Sequence, residues 1–348
     1  MRWTLALALA LYACGDPKDN PDARTDAPDT VSDVGIDASD PNMPRTLADT
    51  GLCMDAACTQ INPLAIPYTP QFELWSDGAT KRRWIQLPAG TKIDTADMDF
   101  WEFPVGTKLW KEFTSGTTRV ETRLVMRIGA GTTQNDWFYA AYVWNAAQDN
   151  AVWEEYGATD VLGTQHDVPS KPQCRGCHEN TKPSRVLGFS AIQLDRDNPT
   201  GELDLAELGA QDVLTAAPAS PQTPGPYFPL PGGTSPAKAA LGYLHVNCGH
   251  CHNPNSQVIG NTPMLLRLTV DTLGALSTTP PYQTAVSHAA ATPVGGRTVI
   301  VEPGMPDASS MIYRFESANP AEHMPALGSE VRDETGRTTL RDWITNIQ

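Results

Sequence analysis

The chain has 348 residues, 40% of them hydrophobic, with 40 acidic side chains against 25 basic and a formal net charge of −15. That length suits about two domains with real cores. The acidic balance excludes a nucleic-acid backbone as partner and is compatible with a basic protein partner, although solubility alone explains it equally well.

The N-terminus reads MRWTLALALALYACGD, with one arginine ahead of an apolar run from Trp3 to Ala13. The run is shorter than the about 20 residues of a membrane-spanning helix and has the form of an export signal. LYAC at 11–14 resembles the lipobox of bacterial lipoproteins, whose cysteine is acylated after cleavage. On that reading residues 1–13 are a signal peptide and a lipid on Cys14 anchors the chain to a membrane. Bulky Tyr12 keeps ordinary secretion as the alternative. Gly15, in place of an aspartate, favours the outer membrane or cell surface, with the periplasm as the other compartment. Residues 14–48 follow, with eight aspartates and no aromatic between Asp16 and Asp40. Such a segment buries too little apolar surface to offset its chain entropy, and a disordered tether is expected. Cys53 and Cys58, close together in an exported chain, are expected to form a disulfide.

Residues 49–165 read as β-rich, and seven of the nine tryptophans lie between Trp75 and Trp153. RVETRLVMRI (119–128) alternates, with Val120, Thr122, Leu124, Met126 and Ile128 on one face and Arg119, Glu121, Arg123 and Arg127 on the other. That period of two is a half-buried strand whose polar side is expected to face solvent. DWFYAAYVWN (136–145), KRRWIQL, TKLWKEF and AVWEEY supply further short strands, and the pattern suggests a β-sandwich-like domain. From about 166 the strands stop. The segment 166–217 contains QCRGCHEN and a helical stretch at 201–214. Residues 218–234 are a proline-rich linker or extended wrap. SPAKAALGYLHVNC (235–248) reads as a helix with Ser235 as N-cap and Pro236 in its first turn. The C-terminal DETGRTTLRDWITNIQ places Leu340, Trp343, Ile344 and Ile347 on one side of a short amphipathic helix. The expected fold class is α+β and multidomain, the last domain (235–348) being mostly α-helical.

Two stretches carry chemistry: Cys174-Arg175-Gly176-Cys177-His178 and Cys248-Gly249-His250-Cys251-His252. A four-thiolate zinc site fits them poorly. The pairs are further apart than the roughly 15–20 residues of zinc ribbons, each is followed by a histidine that such a site does not need, and exported thiolates meet an oxidising compartment. Covalent haem c accounts for all three features. Each cysteine forms a thioether to the porphyrin, and residues i and i+3 present both sulfurs to one haem edge. The following histidine is the proximal iron ligand. Two covalently bound haem c groups are therefore expected, with His178 and His252 as iron ligands.

For the second haem, Met324 in ANPAEHMPALGSE (318–330) is the expected distal ligand. In the cytochrome c superfamily the distal methionine comes from such a loop ahead of the last helix, and that helix packs across the one preceding CxxCH, here near Gly242 and Tyr243. His323 is the main rival, with Met305 and Met311 behind it. His250 is expected to be exposed and His245 to lie on the helix surface or at the haem edge. For the first haem, His166, His288, Met264 and Met126 are all candidates, or the position is open. A closed haem only passes electrons, whereas an open one binds small molecules.

Beyond the haem motifs, LWSDGATKRRWIQLPAGTKI, DFWEFPVGTKLWKEF, VETRL, PSKPQCRGCHEN with VLGFSAIQL, and YLHVNCGHCHNP with EPGMPDASSMIYRFES and HMPALGSE together resemble a group of exported bacterial dihaem c-type cytochromes. The resemblance covers roughly residues 45–348. It implies a β-rich N-terminal part, a class I cytochrome c-like C-terminal part, haem binding and electron transfer to a redox partner protein. Cys174, Cys177, His178, Cys248, Cys251, His252 and Met324 match the group's pattern. The competing expectation is a dihaem peroxidase-like or other small-molecule oxidoreductase with an open haem, although no catalytic acid or base can be assigned. A structural zinc or carbohydrate-binding surface lipoprotein is the third.

Overall fold

A computed structural model describes residues 43–347, except Gln222 and Thr234. The signal peptide, Cys14 and the tether up to residue 42 lie outside the described residues. The centre of the fold is a six-stranded antiparallel meander, ordered β1 (Ile66–Pro67), β2 (Thr80–Gln86), β3 (Lys108–Ser115), β4 (Thr118–Arg127), β5 (Trp137–Trp144) and β6 (Ala151–Glu154). Aromatic and β-branched side chains favour these strands. Gly116 supplies the positive φ, +59°, in the two-residue turn between β3 and β4.

The expected β-sandwich is corrected to a single sheet. Its neighbouring strands pair in chain order, so none crosses to a second sheet, and loops and short helices cover both faces. On one face Trp84, Trp110, Leu124, Phe138 and Ala140 pack against Leu47, Leu52 and the Cys53–Cys58 disulfide. The expected tether therefore ends earlier than residue 48. Leu47 is fully buried, its N–H bonds to the Ala151 carbonyl at 2.9 Å, and Thr46 pairs with Val152. On the other face Ile85, Leu109 and Tyr139 pack against Val186, Phe189, Leu194, Leu203, Leu205 and Leu208. The segment 166–217 is thus the second layer of the sheet's own core.

That second layer overturns the expected solvated face of β4. Glu121 is fully buried and Arg127 is 8% exposed. Arg123 pairs with Glu121, whose Oε1 also lies 2.8 Å from His166 Nε2. Alternation placed these residues on one face, but only the chain folding over it decided that the face is internal.

The helices are α1 (Lys171–His178), α2 (Ala191–Leu194), α3 (Leu205–Ala210), α4 (Pro236–Asn247), α5 (Pro280–Ala285), α6 (Ser310–Glu316) and α7 (Glu334–Thr345). The helix expected over 201–214 contracts to α3. Asp204 caps it by accepting from Glu207 N–H at 2.8 Å, and Asp212 beyond its end takes a positive φ. The proline-rich 218–234 stretch is anchored: the Asp195 carboxylate accepts from the N–H groups of Tyr227 and Phe228, and Leu230 is buried. In the C-terminal part α4 packs on α7 around Leu244, Leu340, Trp343 and Ile344. Tyr243 meets Gly336 there, as expected for Tyr243, but Gly242 faces the Phe72 ring instead. This part also carries an unexpected hairpin, β7 (Ala289–Val294) with β8 (Arg297–Val299). Trp75 joins the two halves: its backbone N–H donates to Asn247 Oδ1 and its indole to the Val331 carbonyl, each at 2.8 Å. Among the described residues no helix is long and apolar enough to cross a membrane.

Candidate haem sites

Cys174, Cys177 and His178 all lie in α1. Ser170 and Gln173 form a capping box at its start, and Pro172 occupies its first turn. The i, i+3 spacing puts both sulfurs on one side of the helix. His178 closes the helix, and its Nδ1 sits 2.6 Å from the Arg185 carbonyl oxygen. Nδ1 therefore donates and holds the proton, leaving the Nε2 lone pair for a metal. Arg185 presents that carbonyl from a left-handed backbone, φ +53°. Its guanidinium is held by Glu179 at 2.9 Å and by the Thr132 carbonyl at 2.6 Å, bonds that offset the conformational cost. The Tyr139 ring of β5 lies against the His178 ring, centroids 5.0 Å apart.

Burial pushes the His178 pKa down to about 4. The Arg185 carbonyl opposes this, and Lys111 and Arg123 add to it. Burial raises the Cys174 thiol to about 11. At neutral pH the imidazole is uncharged and competent to ligate. Cys174, Cys177 and His178 are nevertheless only half-buried by solvent contact.

The second motif follows α4. Cys251 and His252 donate their N–H groups to the Cys248 carbonyl at 3.1 and 2.9 Å, which winds the pentapeptide into a tight turn. Glycine is required at 249, because a Cβ there would press on the His245 carbonyl and the Arg267 backbone. Asn253 ties the turn shut by donating to the carbonyls of Gly249 and His250 at 2.9 and 2.8 Å. Burial lowers the His252 pKa to about 4, opposed by the Met264 carbonyl toward which the ring turns. That approach stops short of a hydrogen bond, and Nδ1 is buried without a partner among the described residues. Burial raises the Cys248 thiol to about 12.

Of the neighbouring histidines, His250 departs from expectation, and His245 is not on the helix surface. His250 is 7% exposed rather than solvent-facing. Burial, then Arg267 and His245, push its pKa well down, and Lys111 and His178 of the first site act in the same direction. His245 is 2% exposed, its Nδ1 accepting from Leu268 N–H at 3.0 Å. Both are internal because the 264–270 segment folds back across the end of α4, a contact that no local pattern announces.

Met324 lies in the 318–330 loop, 42% exposed, its N–H bonded to the Arg314 carbonyl at 3.0 Å. Its side chain is not a core methionine. His323, its rival, has both ring nitrogens engaged, Nδ1 with the Ser317 carbonyl and Nε2 with Ser329 Oγ, each at 3.0 Å. Met305 is exposed and Met311 packs against the C-terminal core. Of the residues considered for the first haem, His166 has Nε2 occupied by Glu121. Met126 lies on the sheet face opposite Tyr139. Met264 belongs beside His252, and exposed His288 lines with it a cavity of about 190 Å³.

The two motifs are neighbours in space. Asn255, just past the second, donates from Nδ2 to the Lys182 carbonyl at 2.7 Å, and the Gln257 N–H reaches Asn180 Oδ1 at 3.3 Å, just past the first. None of the four motif cysteines is in a disulfide. Among the described residues the only convergent group of three or more His, Cys, Asp or Glu ligand atoms is Asp160, Asp167 and Glu330, so the four cysteines do not assemble as tetrahedral zinc requires. Helical sulfur spacing and a histidine whose tautomer is set by a backbone carbonyl are the donor set that covalent haem takes. The residues that sequence reasoning missed are Tyr139, Arg185 and Lys111, for which the strand patterns and the positive-φ loop left no local signal. Comparison with protein-family models, curated proteins and solved structures finds no match to the chain.

Proposed function

We propose that the chain is a dihaem c-type cytochrome, exported and lipid-anchored through Cys14, that passes electrons at the bacterial cell envelope. The observation that carries this reading is the pairing of two CxxCH motifs through the loops that follow them, with His178 fixed as an Nε2 donor. Bound haem would supply one-electron redox chemistry, with Cys174, Cys177 and His178 holding the first and Cys248, Cys251, His252 and Met324 the second. The protein's share is to fix the ligands, exclude water and keep the two sites adjacent. The Arg185 carbonyl orients His178, and the Tyr139 ring shields one side of it. Met324, exposed in its loop while His323 has both ring nitrogens engaged, is the distal ligand this reading assigns to the second haem. The α4–α7 packing supports a class I cytochrome c-like C-terminal part. A thioether ligand favours ferrous iron, so the second site is the higher in potential.

The test is expression with haem-maturation machinery, followed by haem staining after denaturing electrophoresis and a haem count. Two covalent haems per chain, both low-spin and redox-active, are expected. A colourless chain, or one carrying zinc on its thiols, would overturn the reading.

A further inference from the structure

The sheet face under the first motif carries an unusual row. Arg83 of β2 pairs directly with Lys111 of β3, and Lys111 directly with Arg123 of β4. Next along the strands, on the same face, lies the row Ile85, Leu109, Val125 and Tyr139, whose last member touches the His178 ring. Adjacent same-face rows are about 7 Å apart and adjacent strands about 4.8 Å, so the cations sit within a haem's breadth of His178. On their other side, Phe113 and Glu121 are covered by His166. The basic row is the floor between two covered ends of the sheet face.

Like charges placed directly opposite across strands repel, and burial sharpens the cost. The protein's own acids compensate only part of the charge. Glu73 reaches Arg83 at 3.6 Å, and Glu121 pairs with Arg123 while also holding His166. Among the described residues no carboxylate lies within ion-pair distance of Lys111, nor of Lys81, which shares this face and donates to the Ala79 carbonyl at 2.9 Å. Four basic side chains thus face two carboxylates beside the half-buried Cys174, Cys177 and His178. Burial and the neighbouring Arg83 and Arg123 push the Lys111 pKa well down, a cost that an anion seated on this row would relieve.

We propose that Arg83, Lys111 and Arg123, backed by Lys81, seat the two propionate carboxylates of the first haem. The inference rests on the dihaem reading, and it names what that reading leaves open: which part of the protein neutralises the haem's acid edge. Arginine forks match a carboxylate in two contacts, and the lysines act as point charges. A cation held at this edge offsets the propionate charge that would otherwise favour ferric iron.

The experiment is Lys111→Met in the full chain matured with haem, with both midpoint potentials measured. The first haem is assigned by comparison with a variant in which Cys174 and Cys177 are serine. The expected result is two haems per chain, the first haem's reduction equilibrium constant lowered about tenfold, a shift of about 59 mV for one electron, and the second haem unmoved. Lys111→Arg restores the potential, and Lys92→Met, at an exposed lysine paired with Asp212, leaves it in place. No shift in Lys111→Met, or an equal shift in Lys92→Met, overturns the seat. A haem count of zero at Cys174 and Cys177 in the unmodified chain overturns the underlying reading instead, before any potential is measured. Should Lys111→Met fail to mature, resonance Raman spectra of the unmodified protein decide: propionate bending modes at frequencies of carboxylates bonded to cationic donors support the seat, and those of free carboxylates refute it.

Discussion

Gly336→Ala is the sharpest test of the helix crossing that carries the second site. On an open helix surface this change stabilises by about 1 kcal/mol, because alanine has the better helix propensity. Here a Cβ would overlap Cζ, Cε2 and Oη of Tyr243, far inside carbon–carbon contact distance. The ring has little freedom to yield, since Phe315 packs edge-on against it with centroids 6.2 Å apart. Gly336 is also fixed from its own side, its N–H bonded to Asp333 Oδ1 at 2.8 Å. Overpacking of this kind costs about 1–3 kcal/mol, so after the propensity gain the net expectation is a loss of up to about 2 kcal/mol. Urea denaturation of the haem-loaded protein measures it, and the midpoint should fall without a change in slope. In the Tyr243→Ala background the same substitution should cost little or become stabilising, a coupling that a double-mutant cycle reads directly. A gain of about 1 kcal/mol in the wild-type background would refute the close α4–α7 contact.

Four further outcomes are expected. Replacing Cys248 and Cys251 by serine should leave one haem per chain, still attached at Cys174 and Cys177, as mass spectrometry of the intact protein would show. Met324→Ala should make the second haem high-spin and able to bind added imidazole, with a lower potential, while His323→Ala should leave its spectrum unchanged. Removing the Cys53–Cys58 disulfide by a double serine substitution should cost about 2 kcal/mol in thermal or urea unfolding, as a short closed loop implies. Burial acts to raise the Glu121 pKa, but Arg123 and His166 outweigh it and hold the carboxyl below its ordinary value. Its contribution is therefore complete above the unfolded-state pKa and is lost as pH falls through the folded one. Glu121→Gln should flatten the acid limb of a stability-versus-pH curve and lower stability at neutral pH by about 1–3 kcal/mol, since buried His166 and half-buried Arg123 would lose their charged partner.

The strands of the sheet and helices α4 and α7 were legible in the chain because each is written in a local period: alternation for β4 and β5, a proline-led start for α4, and an apolar stripe for α7. The disulfide was legible because two cysteines five apart leave little choice. The sandwich was misjudged for a physical reason. Alternation says that a strand has two faces but not what covers them, and here loops and short helices cover both. The same limit hid the burial of Glu121 and Arg127, and placed His250 outside when a distant segment folds over it.

The sequence by itself determined the donor sets, because C-x-x-C-H is contiguous and its spacing needs only one helical turn to present two sulfurs and an imidazole together. It could not determine which atom of His178 is free, since that follows from a carbonyl seven residues on, held out by an ion pair to Glu179. Nor could it show that two motifs far apart in the chain stand side by side, or that Arg83, Lys111 and Arg123 align under one of them. Those are matters of strand register and long-range hydrogen bonding, whose information is spread over the whole fold and not stored near any one residue.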